Sequence, residues 1–339
     1  MNAKRLLLYG MMAGCLLTAC RSREEMAYST DPVENIEALW KIIDTRYCYI
    51  EEKGIDWSAI RDEYVAKAEA VKKNDAVALF DLCAGMLDSL QDGHVNLYTP
   101  FDVSRNTAWY DTFPANFNSS IQALYMHDYR VAGSLYYCTV DNDSIGYVYY
   151  PSFSNGFSVS NLGWVFHAFK DCRGLIIDVR NNGGGDLNNA YLLASPFFTE
   201  NRTVGYWQHK TGPGHNDFSA MEELKSDISL CGTKWKRPTV VLCNRRSYSA
   251  TNSFVNMMRY ADNAIIVGGT SGGGGGMPMS YELPCGWMVR FSSVRMYDRE
   301  KKDIEAGIEP DVLVTMQSTD KDDIIEKAIE LIHNATNQN

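Results

Sequence analysis

A serine at the junction of a strand and a helix is well placed to be a nucleophile. Its hydroxyl sits in a turn, and the N-terminus of the following helix favours developing negative charge. Ser249 has that setting, in Arg245-Arg246-Ser247-Tyr248-Ser249-Ala250-Thr251-Asn252, between the run TVVLCN and an apolar helical stretch. The same setting suits a plain helix N-cap, in which the serine oxygen satisfies an orphan backbone N–H. A second candidate is Asp178-Val179-Arg180-Asn181-Asn182-Gly183-Gly184-Gly185, at the end of the run GLIIDVR. Glycines there let backbone N–H groups approach a phosphate or an oxyanion, or simply make a tight turn. The Lys-Ser or Lys-Thr that completes a phosphate-binding loop does not follow them. Gly272 to Gly276 form a run too costly for the interior of a strand or helix, so it reads as a loop passing close to a ligand or another backbone. Gly307-Ile308-Glu309-Pro310-Asp311 makes a short turn further on. The candidate bases are six histidines, His94, His127, His167, His209, His215 and His333. Each alone is more often structural. His94 lies in Asp92-Gly93-His94, and His215 ends Thr211-Gly212-Pro213-Gly214-His215, a loop suited to a lid or a substrate strap. No H-E-x-x-H spacing offers zinc a site, and neither a metal nor a cofactor is expected.

Strands and helices must hold these residues. IGYVYY (145–150), GLIIDVR (174–180), TVVLCN (239–244) and AIIVGG (264–269) are dense in β-branched residues. Helical segments are predicted between them, near 158–170, 186–196 and 249–260. Strands alternating with helices predict an α/β core over residues 144–339, closed by a helix over 321–335. Upstream, Asp31-Pro32 reads as a helix cap followed by proline at the first helical position, and Ile36, Leu39, Trp40 and Ile43 recur at helical spacing. Two further helices over about 56–72 and 74–90 complete a small N-terminal bundle spanning residues 31–97. Residues 98–143, rich in Tyr, Asn, Asp and Ser, predict short strands and long loops.

In their order, the serine turn, the D-x-R-x-N-x-G-G turn and G-x-E-P-D together resemble the S41 serine peptidases, which include the C-terminal processing and tricorn-type proteases. The resemblance covers residues 145–315 and Asp92 to Leu97. It implies an S41-type α/β core of repeated ββα units, of the crotonase and ClpP kind, beside the small helical bundle. It further implies a catalytic set of Ser249 as nucleophile, His94 as base and Glu309 as the carboxylate that holds the imidazole. The oxyanion donors it implies are Ala250 and Gly183 or Gly184. His215, Gly273 and Gly274 are left as a possible substrate loop. Many relatives pair the serine with a lysine about 25 positions later, but Gly274 stands there and no Lys lies between Ser249 and Glu300. A Ser–Lys dyad is thereby excluded in this arrangement. Gly93 replaces the serine of the tricorn-type S-H turn. A PDZ module needs about 80–100 residues, and residues 98–143 are too few and lack a G-L-G-F loop, so recognition of a C-terminal tail is not expected. The reading that follows is a peptidase acting on peptides or unfolded proteins. Its alternatives are an esterase using the same serine, and a non-catalytic peptide- or glycan-binding lipoprotein.

Residues 1–20 look like an address. Lys4 and Arg5 precede an apolar stretch over 6–17, and Leu17-Thr18-Ala19-Cys20 resembles a bacterial lipobox. That resemblance implies cleavage before Cys20, acylation of it, a polar tether over residues 21–30 and a membrane as partner. Arg21, in place of the aspartate associated with inner-membrane retention, favours the outer membrane. Seven further cysteines form no CxxC pair, and their apolar contexts make them buried small hydrophobes. The net charge of −10 argues against nucleic acid as the main partner, and the 45% apolar and 22% charged composition excludes a disordered chain or a coiled-coil rod. The oligomeric state has no sequence signal.

Overall fold

A computed structural model describes residues 28–337. The expected signal segment, the lipid site Cys20 and residues 21–27 of the tether lie outside the described residues.

Three capped helices open the fold: α1 (Pro32–Arg46), α2 (Trp57–Ala68) and α3 (Ala76–Asp88). Asp31, Asp56 and Asp75 each accept a first-turn backbone N–H, and Pro32 sits at the start of α1 where no donor is missed. The buried stripe of α1 is Ile36, Leu39 and Ile43, and Trp40 and Trp57 each donate their indole N–H to the other's carbonyl. This apolar face does not close on itself. It shares one core with Leu283, Trp287, Val289 and Phe291, which come from the far end of the chain.

Those residues belong to a sheet that periodicity does not reveal. Strands β1 (Asn96–Tyr98), β6 (Thr203–His209), β7 (Glu222–Lys225), β10 (Met277–Glu282) and β11 (Met288–Tyr297) form it, in the order β1-β11-β6-β7 with β10 also paired to β11. In β11 nine of ten residues are buried or half-buried, including Ser292, Ser293 and Arg295, while most of β10 is exposed. Neither strand shows the alternation of a half-buried strand, because the helices cover one and solvent bathes the other.

The larger sheet has seven strands in the order β12-β9-β8-β5-β4-β3-β2. They are β2 (Arg130–Ala132), β3 (Leu135–Val140), β4 (Ile145–Tyr149), β5 (Gly174–Asp178), β8 (Thr239–Cys243), β9 (Ala264–Gly268) and β12 (Val312–Leu313). From β4 to β12 the pairing is parallel, and β2, β3 and β4 pair antiparallel. All five residues of β5 and of β8 are buried, as both-sided coverage of a parallel sheet requires. Leu175, Ile177 and Val241 face the helices α6 (Val159–Ala168), α7 (Leu187–Ala194) and α8 (Ala250–Met258). Ile176, Val240 and Leu242 point the other way, onto Ile324, Ala328 and Ile332 of α9 (Asp323–Asn337). The fold is thus the mixed α/β class expected. Residues 98–143 hold two one-turn helices, α4 (Ala108–Asp111) and α5 (Ser119–Gln122), besides β2 and β3. All seven described cysteines are free, six of them buried. Among the described residues no helix is long and apolar enough to cross a membrane.

Candidate active site

The ends of β5 and β8 lie side by side, so the turns that leave them meet. The turn after β8 is fastened at its base. Asn244 donates to Asn181 Oδ1 and to the Ala115 carbonyl, both at 2.8 Å, and Ser247 Oγ donates to the Val179 carbonyl at 2.8 Å. Ser247, the first serine of the turn, is therefore structural. Below it Arg180 is fully buried, with Nη2 2.6 Å from Asp178 Oδ2 and Nη1 2.9 Å from Asp322 Oδ2. Asp322 also accepts the N–H groups of Ile324 and Ile325, so this ion pair ties the turn after β5 to the start of α9.

Ser249 stands at the head of α8 with φ 59° and ψ −121°, a backbone conformation that costs a non-glycine residue about 1–3 kcal/mol. Its amide is held by the Gly273 carbonyl at 2.9 Å. It makes no side-chain cap bond to α8, so the N-cap reading of this serine fails. Its hydroxyl instead lies 3.0 Å from His94 Nε2.

His94 comes from the loop between α3 and β1. Asp92, 2% exposed, accepts the His94 backbone N–H at 2.7 Å through Oδ1. Its Oδ2 accepts from Tyr47 at 2.9 Å and from Ser292 at 3.2 Å. His94 is itself 2% exposed, and burial pushes its pKa down to about 4. The positive charges of Arg290 and Lys53 act in the same direction and Asp92 acts against them. The imidazole is therefore neutral at pH 7 and free to accept a proton.

The structure does not bring Glu309 to this pair. Ile308 is buried with its amide on Ser271 Oγ at 2.7 Å, whereas Glu309 beside it is exposed. It makes no hydrogen bond to His94. A different carboxyl group of this segment is turned inward. Glu305 Oε2 is buried without a partner, and burial, then the charge of Asp92, pushes that carboxyl well above the usual range. His94 Nδ1 and Tyr248 Oη are likewise buried and unpaired. Nothing in the sequence separates Glu305 from Glu309, because two glutamates four apart differ only in which of them the fold turns inward.

The expected oxyanion donors separate on the same kind of detail. A Cβ on Gly184 would lie 2.8 Å from Ser249 Cβ and 3.0 Å from the Ala250 nitrogen, so only glycine fits there. The Gly184 N–H is spent on Asn182 Oδ1 at 3.0 Å. The N–H groups of Gly183 and Ala250 make no hydrogen bond among the described residues. The glycine run is a close passage of backbone: a Cβ on Gly273 would lie 1.8 Å from the Glu305 carbonyl oxygen, and one on Gly274 2.4 Å from the Tyr248 ring.

His215 sits elsewhere. Its ring nitrogens lie 2.7 Å from Glu51 and 2.8 Å from Asp44, which clasps its loop to the helical region and not to Ser249. Partial burial opposes protonation, but the two carboxylates outweigh it and raise the His215 pKa. Its contribution to stability is fully present below the unfolded value of about 6.5 and is lost as pH rises through the raised folded value. His215→Ala is expected to leave kcat unchanged and to cost about 1 kcal/mol at pH 6, less at pH 9. Urea melts at both pH values check this, and a kcat collapse would return His215 to the chemistry. Among the described residues no group of three or more His, Cys, Asp or Glu side chains could hold a metal ion.

Residues 144–314, half of the chain, match peptidase family S41, and residues 29–88 match the tricorn protease C1 domain. A crystal structure of a candidate peptidase from Parabacteroides merdae is 45% identical, with a TM-score of 0.84 over 89% of this chain and 96% of that one. The carboxy-terminal processing protease CtpA of Bacillus subtilis is 26% identical over 42% of this chain and 29% of its own. The carboxyl-terminal-processing protease of Synechocystis is 27% identical over 50% of this chain and 38% of its own. The chain spans about a third of the length of the curated relatives it matches.

Proposed function

The chain belongs to peptidase family S41, and from that footing we propose that it hydrolyses peptides or unfolded proteins through an acyl-enzyme on Ser249. The observation that carries this reading is the 3.0 Å approach of Ser249 Oγ to a buried, neutral His94 Nε2. In the first step Ser249 Oγ bonds to the carbonyl carbon and its proton passes to Nε2. The carbonyl oxygen gains the negative charge and takes hydrogen bonds from the free N–H groups of Gly183 and Ala250. As the tetrahedral adduct collapses, the C–N bond breaks and the leaving amine receives the proton from His94. A water then repeats the sequence on the acyl-enzyme and releases Ser249.

Asp92 fixes the main chain of the base. Of the two glutamates, Glu305 is the better candidate for the carboxyl role, because its Oε2 is buried and unpaired within the field of Asp92 while Glu309 is exposed. The test is labelling of the full chain with a fluorophosphonate probe, followed by turnover of matched peptide and ester substrates. Labelling at Ser249 with peptide turnover is expected. Absence of labelling would leave a binding protein, and ester turnover alone an esterase.

The lipobox-like segment supports anchoring through acylated Cys20 at the bacterial envelope, at the outer membrane by the residue that follows. Cys20→Ser is expected to abolish fatty-acid labelling and to move the protein out of the membrane fraction or leave its signal segment uncleaved. Labelling that survives the substitution would overturn the assignment.

A further inference from the structure

Gly93 stands between Asp92, which holds the main chain of the base, and His94 itself. A Cβ at this position would lie 2.5 Å from Trp109 Nε1, 3.0 Å from Trp109 Cδ1 and 3.0 Å from Tyr248 Oη. The first of these contacts is impossible for a real side chain, so the space beside the Gly93 Cα is already filled by an indole. That indole stacks on the Tyr248 ring with centroids 4.1 Å apart and planes at 27°. The Tyr248 ring in turn lies 4.8 Å from the His94 ring, and Tyr248 precedes Ser249 in the chain. Tyr248 Oη is buried and unpaired, so ring packing, not a hydroxyl hydrogen bond, holds this side chain.

Trp109 lies on α4, in the irregular segment before the main sheet, and is fastened from the nucleophile turn. Arg245 Nε donates to the Trp109 carbonyl at 2.6 Å, and the Arg245 guanidinium lies 4.3 Å from the Phe113 ring. Arg246 covers the Tyr110 ring at 4.0 Å. The indole therefore touches both halves of the site, the His94 loop through Gly93 and the Ser249 turn through Tyr248.

We propose that Trp109 is a positioning residue for the Ser249–His94 pair, and that Gly93 and Trp109 form one steric unit in which the indole takes the volume a side chain at position 93 would need. The proposal rests on the reading of Ser249 and His94 as nucleophile and base. A glycine at position 93 is then no defect in the site, because the wall it leaves open is supplied by a residue sixteen positions further along the chain.

A double-mutant cycle on the full chain tests it. Gly93→Ser drives its new side chain into the indole and displaces His94, and is expected to lower kcat by about tenfold or more with KM within about twofold. Trp109→Ala removes the brace from Tyr248 and is expected to have an effect of similar size. The combination is expected to be faster than either single variant, because each substitution removes the fault the other creates. A purely structural role for Trp109 would not produce such a rescue. A combined variant no faster than the slower single variant, or Gly93→Ser with wild-type kcat, would overturn the proposal. Thermal melts accompany each variant, and Trp109→Leu replaces Trp109→Ala in the cycle if the latter does not fold. Fluorophosphonate labelling of the wild type at Ser249 separates the two levels of failure. If the wild type is not labelled, the nucleophile assignment falls. If it is labelled and the losses multiply, only the role of Trp109 does.

Discussion

Replacing Ser249 by Ala lowers kcat by at least about 10⁴-fold and abolishes fluorophosphonate labelling, while the melting temperature hardly moves. The rate loss follows from removing the atom that forms the acyl bond, after which only binding and the backbone amides remain. Stability survives because the hydroxyl caps nothing: its partner is His94, and a single hydrogen bond of this kind is worth about 1 kcal/mol. A companion substitution separates chemistry from strain. At φ 59° and ψ −121° glycine is at ease and alanine is not, so Ser249→Gly is equally inactive yet melts about 2–4 °C above Ser249→Ala. Wild-type turnover by the alanine variant would remove Ser249 from the mechanism. A glycine variant that melts below it would remove the strain argument alone.

The acid limb of kcat/KM falls at an apparent pKa of about 4, not near the ordinary histidine value of about 6.5. Burial of His94 is the main cause, so the base stays neutral and competent well into the acid range. The same shift acts on stability with a definite sign. Between pH 6.5 and 4 the unfolded chain binds a proton at this site that the folded chain refuses. Stability therefore declines as pH falls through that window, by about 3 kcal/mol in all, and His94 has no further effect below it. His94→Gln abolishes turnover and flattens that part of the stability profile. A limb near pH 6.5, with unchanged pH dependence in the variant, would place the base in a solvated position that the structure does not show.

Much of this was legible in the chain. The parallel core shows in GLIID and TVVLC, because a strand covered on both faces is a near-continuous apolar run, broken here only at its ends by Asp178 and Thr239. The first helix start shows in Asp31-Pro32, because an N-cap is a local hydrogen bond that needs no tertiary partner. Ser249 and the glycines of the neighbouring turn show because a strand end and a close approach each demand particular residue types. The second sheet did not show. Strand β11 is buried under helices more than 190 residues away in sequence, and β10 is an exposed edge, so neither carries a period that a window could detect.

The carboxyl group and the wall of the site belong to the same hidden class. Glu305 and Glu309 are the same residue type four positions apart, and only the tertiary packing decides which of them turns its carboxyl inward. Gly93 reads in sequence as a missing side chain, and only the arrival of Trp109 explains why none can stand there. Residue type is a one-dimensional property, so the chain carries the nucleophile, its turn and the histidine that could serve it. Burial, orphaned polar atoms and steric exclusion are relations between segments distant in sequence, and those come into being only when the helical region closes over the sheets.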